Sequence, residues 1–144
     1  MTALALRYAR SDDIDAVLSF WDEAAKGTSI TDDHDGMARL LATDPRALLL
    51  AERDGVLVGT VIAGFDGWRC SLYRLAVHPD HRRQGIAAAL LERAEQRFAE
   101  VGGRRVDAMV LESNESAHRT WAAAGYGRED HWRRWVKPLE ESPA

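Results

Sequence analysis

The chain has 144 residues, 46% of them hydrophobic and 29% charged, with a net charge of −4. That length suits one ordinary domain, and that composition suits a packed core rather than a disordered segment. The acidic balance argues against nucleic acid as the main partner, a single cysteine leaves no intrachain disulfide, and no apolar run reaches the ~20 residues that span a bilayer. The N-terminus also lacks a basic start with an apolar stretch behind it, so a cytoplasmic protein with no membrane partner is expected. The expected organisation is one domain over residues 1–138, followed by a flexible tail over 139–144.

Leu4, Leu6 and Tyr8 alternate with Ala5 and Arg7, which predicts a first strand. Ser11 offers an N-cap, Asp12 and Asp13 suit the positive end of a helix, and Ile14, Val17, Leu18 and Trp21 share one face. A helix is expected there to about residue 25, with Trp21 as core or pocket wall. Residues 26–36 read as a polar connection and 37–42 as a short helix ended by Asp44-Pro45. Asp32, Asp33 and Asp35 are either a solvated acidic loop or a funnel for a cationic ligand. Residues 47–51 predict a buried strand, Asp54-Gly55 a hairpin turn, 56–65 the returning strand, Asp66-Gly67 a second turn and 69–77 a third strand. Turns this short make antiparallel pairs only.

A helix from Gln84 to about 101 follows, with Ile86, Leu90, Leu91, Ala94 and Phe98 on its apolar stripe and Gly102-Gly103 at its end. Residues 105–111 alternate as a strand, and a strand–helix–strand unit of this length permits a parallel crossover. Asn114 opens another helix, which Gly125 ends. Tyr126 onward, through Trp132, Trp135 and Val136, predicts a last strand closed by Pro138, with the two tryptophans facing opposite sides.

The stretch between the third strand and its helix is the chemically suggestive one. Pro79 breaks the strand, Arg82 and Arg83 make a basic turn, and Gly85 opens a helix rich in alanine and leucine. A helix start offers unpaired N–H groups and about half a positive charge, and a glycine lets a ligand approach the backbone. A pyrophosphate cradle is expected. The nucleotide-triphosphatase string G-x-x-x-x-G-K-S/T is absent, and of the dinucleotide string G-x-G-x-x-G only Gly85 is present. Arg82-Arg83-Gln84-Gly85-Ile86-Ala87 fits a third pattern: Gln or Arg, two free positions, Gly, one free position, then Gly or Ala. Taken alone, the stretch also reads as a solvated basic turn before a helix-start glycine. His78 and His81 are spaced like metal ligands but lack a third partner, so no metal is expected. His118 reads as surface or packing, and Cys70 lacks the neighbours of a nucleophile.

With Leu75-Ala76-Val77-His78-Pro79 before it and Asn114-x-x-Ala117 running to Gly125-Tyr126 after it, this loop makes the chain resemble the GNAT family of acetyl-CoA-dependent N-acetyltransferases. The resemblance covers nearly the whole length, and Gly-Phe-Asp-Gly-Trp-Arg at 64–69 is similar to a bacterial subgroup. It implies an α/β (α+β) fold, a mixed, largely antiparallel sheet of six or seven strands flanked by four helices. It also implies acetyl-CoA as cosubstrate, a primary amine of a small molecule or peptide as acceptor, and a homodimer as one assembly open to the protein. By position, Leu75, Ala76 and Val77 would form a bulged strand edge that pairs with the pantetheine arm, the Val77 N–H aimed at the thioester carbonyl. Arg82, Arg83, Gln84, Gly85, Ile86, Ala87 and Ala88 would hold the pyrophosphate. Asn114 would bond the pantetheine, and Ala117 and Trp121 would line the channel, between strands splayed near Val77 and Leu111.

Two positions depart from the resemblance. Trp121 stands where many members carry a tyrosine acid, and Ser71 where many place a glutamate base. An indole supplies no such proton, although a thiol of pKa about 8.5 leaves moderately well as thiolate, and Ser116 is a nearby hydroxyl. For the base, Asp66, Tyr73, Glu112 and a water chain are the candidates. The departures leave an alternative open: a non-catalytic CoA-binding regulatory module.

Overall fold

The least polar runs of the chain become the middle of a sheet. In the computed structural model, which describes residues 3–25 and 31–140, Leu48–Arg53 (β2) and Val56–Phe65 (β3) pair antiparallel. They are joined by Asp54-Gly55 at φ of 53° and 73°, the doubly left-handed turn that matches strand twist. The strand period of two sends alternate residues to opposite faces. Leu49 and Ala51 enter one buried cluster, and Leu48 and Leu50 enter the other. Ala5–Tyr8 (β1) pairs antiparallel with the free edge of β2, and Cys70–Val77 (β4) pairs antiparallel with β3. Val106–Ala108 (β5) adds a parallel fifth strand beyond β4, for an order β1-β2-β3-β4-β5.

Helices cover both faces. Ile14–Ala24 (α1) and His34–Thr43 (α2) bury Ile14, Val17, Phe20, Trp21, Met37 and Leu41 against one. Ile86–Glu100 (α3) buries its predicted stripe of Ile86, Leu90, Leu91, Ala94 and Phe98 against the other, and Glu115–Ala123 (α4) adds Trp121 there. α3 seats closely because β3 has no side chain at Gly59, where an added Cβ would come within 2.9 Å of Ile86 Cγ2. Arg97, also on this buried stripe, bonds Asp44 and the carbonyls of Ala63 and Arg46.

The entrance to α1 differs from expectation. Ser11 does not cap the helix; Ser11–Asp13 is a 3-10 turn. The Asp13 carboxylate makes no cap bond to α1 either; it turns back, accepting from the Arg10 N–H at 2.7 Å and from both terminal nitrogens of Arg7 at 2.8 Å. Arg7 also reaches Glu52 at 2.9 Å, tying β1, the helix entrance and β2 together. Its hydrogen bonds hold the Asp13 carboxyl down at about 2. α2 begins three residues earlier than predicted, because the Asp33 side chain accepts the Gly36 N–H at 2.8 Å and caps it.

Among the described residues the sheet has five strands rather than six or seven. The strand expected over 105–111 is cut to Val106–Ala108, and the last strand expected from Tyr126 does not form among the described residues. A strand needs a neighbour's ladder and a face to bury. β5 presents three residues, while Trp132 and Trp135, on either side of Arg133-Arg134, are 68% and 93% exposed. Residues 26–30 of the expected polar connection and 141–144 of the expected tail lie outside the described residues. No helix among those described is long and apolar enough to cross a membrane.

Candidate active site

β4 is where the sheet parts. Its first residues have strands on both sides: Cys70, Ser71 and Leu72 pair with Val106, Asp107 and Ala108, and a final link runs from Met109 N–H to the Leu72 carbonyl at 3.4 Å. From Tyr73 onward β4 pairs with β3 alone. The register against β3 also slips there. Thr60 faces Ala76 while Ile62 faces Tyr73, so β4 carries one extra residue, which makes a β-bulge. Arg74 sits in it at φ 53°, a left-handed conformation that costs a side chain of this size.

Four side chains meet at the bulge. The Thr60 hydroxyl donates to the Arg74 carbonyl at 2.9 Å and accepts from Trp21 Nε1 at 2.9 Å. The Arg74 guanidinium pairs with Asp32 and lies 5.3 Å from the centre of the Trp21 ring. The chemistry is that of an exposed backbone edge on a well-braced support. Beyond the bulge, Leu75, Ala76 and Val77 border an open cleft of roughly 1690 Å³.

The start of α3 forms the second side of that cleft. Arg83 and Gly85 both have left-handed backbones, at φ 62° and 78°. Gly85 caps α3 without a side chain, and the first turn carries no acidic residue, so its first N–H groups and positive dipole end are uncompensated. An added Cβ at Gly85 would meet nothing within 4 Å. Arg82, Arg83, Gly85, Ile86, Ala87 and Ala88 all border the cleft, whereas Gln84 does not. This set fits a phosphate-bearing ligand.

α4 supplies the third side. Asn114 caps it, its Oδ1 accepting the Ala117 N–H at 3.2 Å, and Ala117 and Trp121 line the cleft. Trp121 is 7% exposed and meets the Tyr126 ring edge-on at 4.9 Å. Tyr126 donates to Glu95 at 2.7 Å, and burial, reinforced by that carboxylate, pushes its phenol pKa up. The Tyr126 of the motif thus ties α4 to α3.

The candidate proton-transfer groups separate. Tyr73, 45% exposed, and Glu112 both border the cleft, and Glu112 is paired with Arg128 at 3.3 Å. Asp66 does not border it. Its carboxylate accepts the Arg69 and Trp68 N–H groups at 2.7 and 2.8 Å, which hold it below the usual carboxylate range and commit it to the turn before β4. Ser116 and Thr120 border the cleft on the same helix as Trp121, the Thr120 hydroxyl donating to the Ser116 carbonyl at 3.2 Å. His78 meets Glu23 at 3.3 Å, and no metal-binding cluster occurs among the described residues. His118 bonds the Leu111 carbonyl at 3.1 Å, and Cys70 is buried, its thiol pKa raised by that burial. Arg74 and Thr60 were not legible as site residues, since nothing in the sequence marks a non-glycine residue for a positive φ. Asp32 was legible only as part of an acidic loop or a funnel for a cationic ligand, not as the partner of Arg74.

Residues 7–126, the span carrying all these walls, match the model of the acetyltransferase (GNAT) family. The chain belongs to that family. Acetyl transfer to an amine is accordingly its reaction class. Among similar proteins, one named acetyltransferase from Pectobacterium atrosepticum is 38% identical over 113 residues, covering 78% of this chain and 80% of the relative. An acetyltransferase from Yersinia pestis is 33% identical over 127 residues, covering 88% and 90%. In fold, this GNAT chain is similar to the PaiA N-acetyltransferase of Thermoplasma acidophilum, solved in complex with coenzyme A. The TM-score is 0.77 and the identity 17%, with 89% of this chain and 92% of that one covered.

Proposed function

We propose that this GNAT protein moves an acetyl group from acetyl-CoA, bound in the cleft between β4 and α4, to a primary amine of a small molecule or peptide. The observation that carries the reading is the free edge of β4 at Leu75, Ala76 and Val77, which borders the same cleft as the start of α3. One part suits an amide-bearing arm and the other a pyrophosphate, as the donor requires.

The protein's own groups divide the work as follows. Backbone N–H groups at 85–88, with Arg82 and Arg83, hold the pyrophosphate. Asn114 spends its oxygen on the α4 cap, which leaves its NH₂ to donate to the pantetheine arm. The Val77 N–H stabilises charge developing on the thioester oxygen. A lysine-type amine has a pKa near 10.4 and must lose a proton before it attacks. Glu112 and Tyr73 are the cleft groups able to relay that proton, directly or through water. Ser116, which borders the cleft, is the hydroxyl we assign to protonate the departing thiolate, since the Trp121 indole cannot. We further read the protein as cytoplasmic, with one catalytic domain over 1–138 and a homodimer as the assembly for sedimentation to test.

Calorimetry with acetyl-CoA, followed by free-thiol release across a panel of amines, tests this reading. Binding and turnover are expected. No binding at millimolar acetyl-CoA overturns it. Binding with no turnover on any amine favours the second reading, a non-catalytic CoA-binding regulatory module, for which the replacement of the usual acid and base by Trp121 and Ser71 speaks.

A further inference from the structure

We infer that Asp32 and Arg74 are positioning residues that set the aim of the β4 edge, by locking the bulge from the α2 side. The inference rests on the acetyl-transfer reading above. It begins from a conflict: the chain places an arginine, which gains nothing from a positive φ, at the one left-handed position inside β4. Such a conformation persists only where the surroundings over-determine it.

The surroundings here act on both ends of the residue. At the main-chain end, Thr60 is 0% exposed and its hydroxyl has no choice of direction. It accepts the Trp21 indole N–H, so its own proton points to the Arg74 carbonyl. At the side-chain end, the guanidinium is held between the Trp21 ring and the Asp32 carboxylate, with the Arg74 and Asp32 side chains only 14% and 15% exposed. A charge pair this shielded is strongly coupled, since removing one partner leaves the other poorly solvated.

Asp32 is not an isolated loop residue. It directly precedes Asp33, the N-cap of α2, whose carboxylate holds the Gly36 N–H. The pair therefore joins the start of α2 to the bulge across 42 residues of chain. Both residues border the cleft, as do Thr31, Gly36, Met37 and Leu40 beside Asp32. The α2 side of the cleft and the β4 edge assigned to the acetyl group are thus one mechanical unit. Val77 lies three residues beyond Arg74, so the direction of its N–H follows from the bulge. The pyrophosphate cradle at 85–88 lies on another element and is outside this unit.

The test separates the two regions without needing the acceptor. Amide spectra of ¹⁵N-labelled protein are recorded saturated with CoA and with acetyl-CoA, and affinities for both are taken by calorimetry. In the wild type, the Val77 amide is expected to differ between the two complexes. In Asp32→Asn that difference is expected to vanish, and acetyl-CoA affinity is expected to fall by several-fold more than CoA affinity, because only the acetyl group depends on the aim of the Val77 N–H. Arg74→Lys keeps a cation opposite Asp32 but loses the fork and the stacked plane, and should show a reduced difference. If Asp32→Asn does not fold, Arg74→Lys provides the same measurement. A wild-type-sized Val77 difference in the variants overturns the inference, as does a wild type with no such difference. An equal loss of CoA affinity also overturns it, because the pair would then be general scaffolding. A wild type that binds neither nucleotide overturns the acetyl-transfer reading itself.

Discussion

At Gly85 the backbone stands at φ 78° with open space where a side chain would go. Gly85→Val forces a β-branched residue into that conformation, at about 1–3 kcal/mol of strain, and fills the space above the first N–H groups of α3. Loss of detectable acetyl-CoA binding in calorimetry is expected, with the melting temperature lowered but the fold retained. Asp13 carries a prediction of another kind. Its folded pKa, about 2 against an ordinary 3.8, is depressed mainly by hydrogen bonds from Arg7. The unfolded state therefore binds the proton first, so the stabilisation is present above about pH 4 and is lost as pH falls toward 2. Asp13→Asn should cost about 1 kcal/mol at neutral pH, a gap that urea melts should show closing across that acid window. The two residues also differ in how visible they were. Gly85 could be read from its spacing to Arg82 and Ala87, all within one turn of chain. Asp13 reads from the sequence only as a favourable charge at a helix start, because its main partner, Arg7, arrives from β1.

Among the elements, α3 was the most legible. Its stripe of Ile86, Leu90, Leu91, Ala94 and Phe98 is buried as the helical period predicts. Leu90 is 0% exposed, so Leu90→Ala should destabilise by about 2–5 kcal/mol in denaturant melts. The stripe also hid something: Arg97 is buried on the same helix, its terminal nitrogens held by Asp44 and two carbonyls that hydrophobic periodicity does not register. Strands were less legible than helices. A helix closes its own hydrogen bonds, whereas a strand exists only beside a partner. The alternation at 105–111 is real, yet β5 ends at Ala108, where its pairing with Leu72 ends. The aromatic pattern at Trp132 and Trp135 likewise found no neighbour. That early end of β5 is what leaves residues 73–77 of β4 with a free edge and opens the cleft.

Over the whole molecule, a net charge of −4 coexists with a cleft bordered by Arg82, Arg83, Arg119, Arg133 and Arg134. Acetyl-CoA affinity should therefore fall as salt rises, most steeply at low ionic strength, and level off toward about 1 M, where the screening length is only about 3 Å. Calorimetry over a salt series checks this, and a flat response would mean that backbone N–H groups alone carry the phosphates. The parts of this protein that sequence alone determined are those made by contiguous residues: the Arg82–Ala87 string and helix start to which we assign the donor, and the hairpins that keep β2, β3 and β4 antiparallel. Local hydrogen bonding and dihedral preference suffice for these. Tertiary structure alone decided where the sheet parts, why five strands form, and how Asp32, Trp21 and Thr60 brace Arg74 in a left-handed bulge. Each of those depends on groups far apart in the chain, and their energies exist only once the fold has brought the groups together.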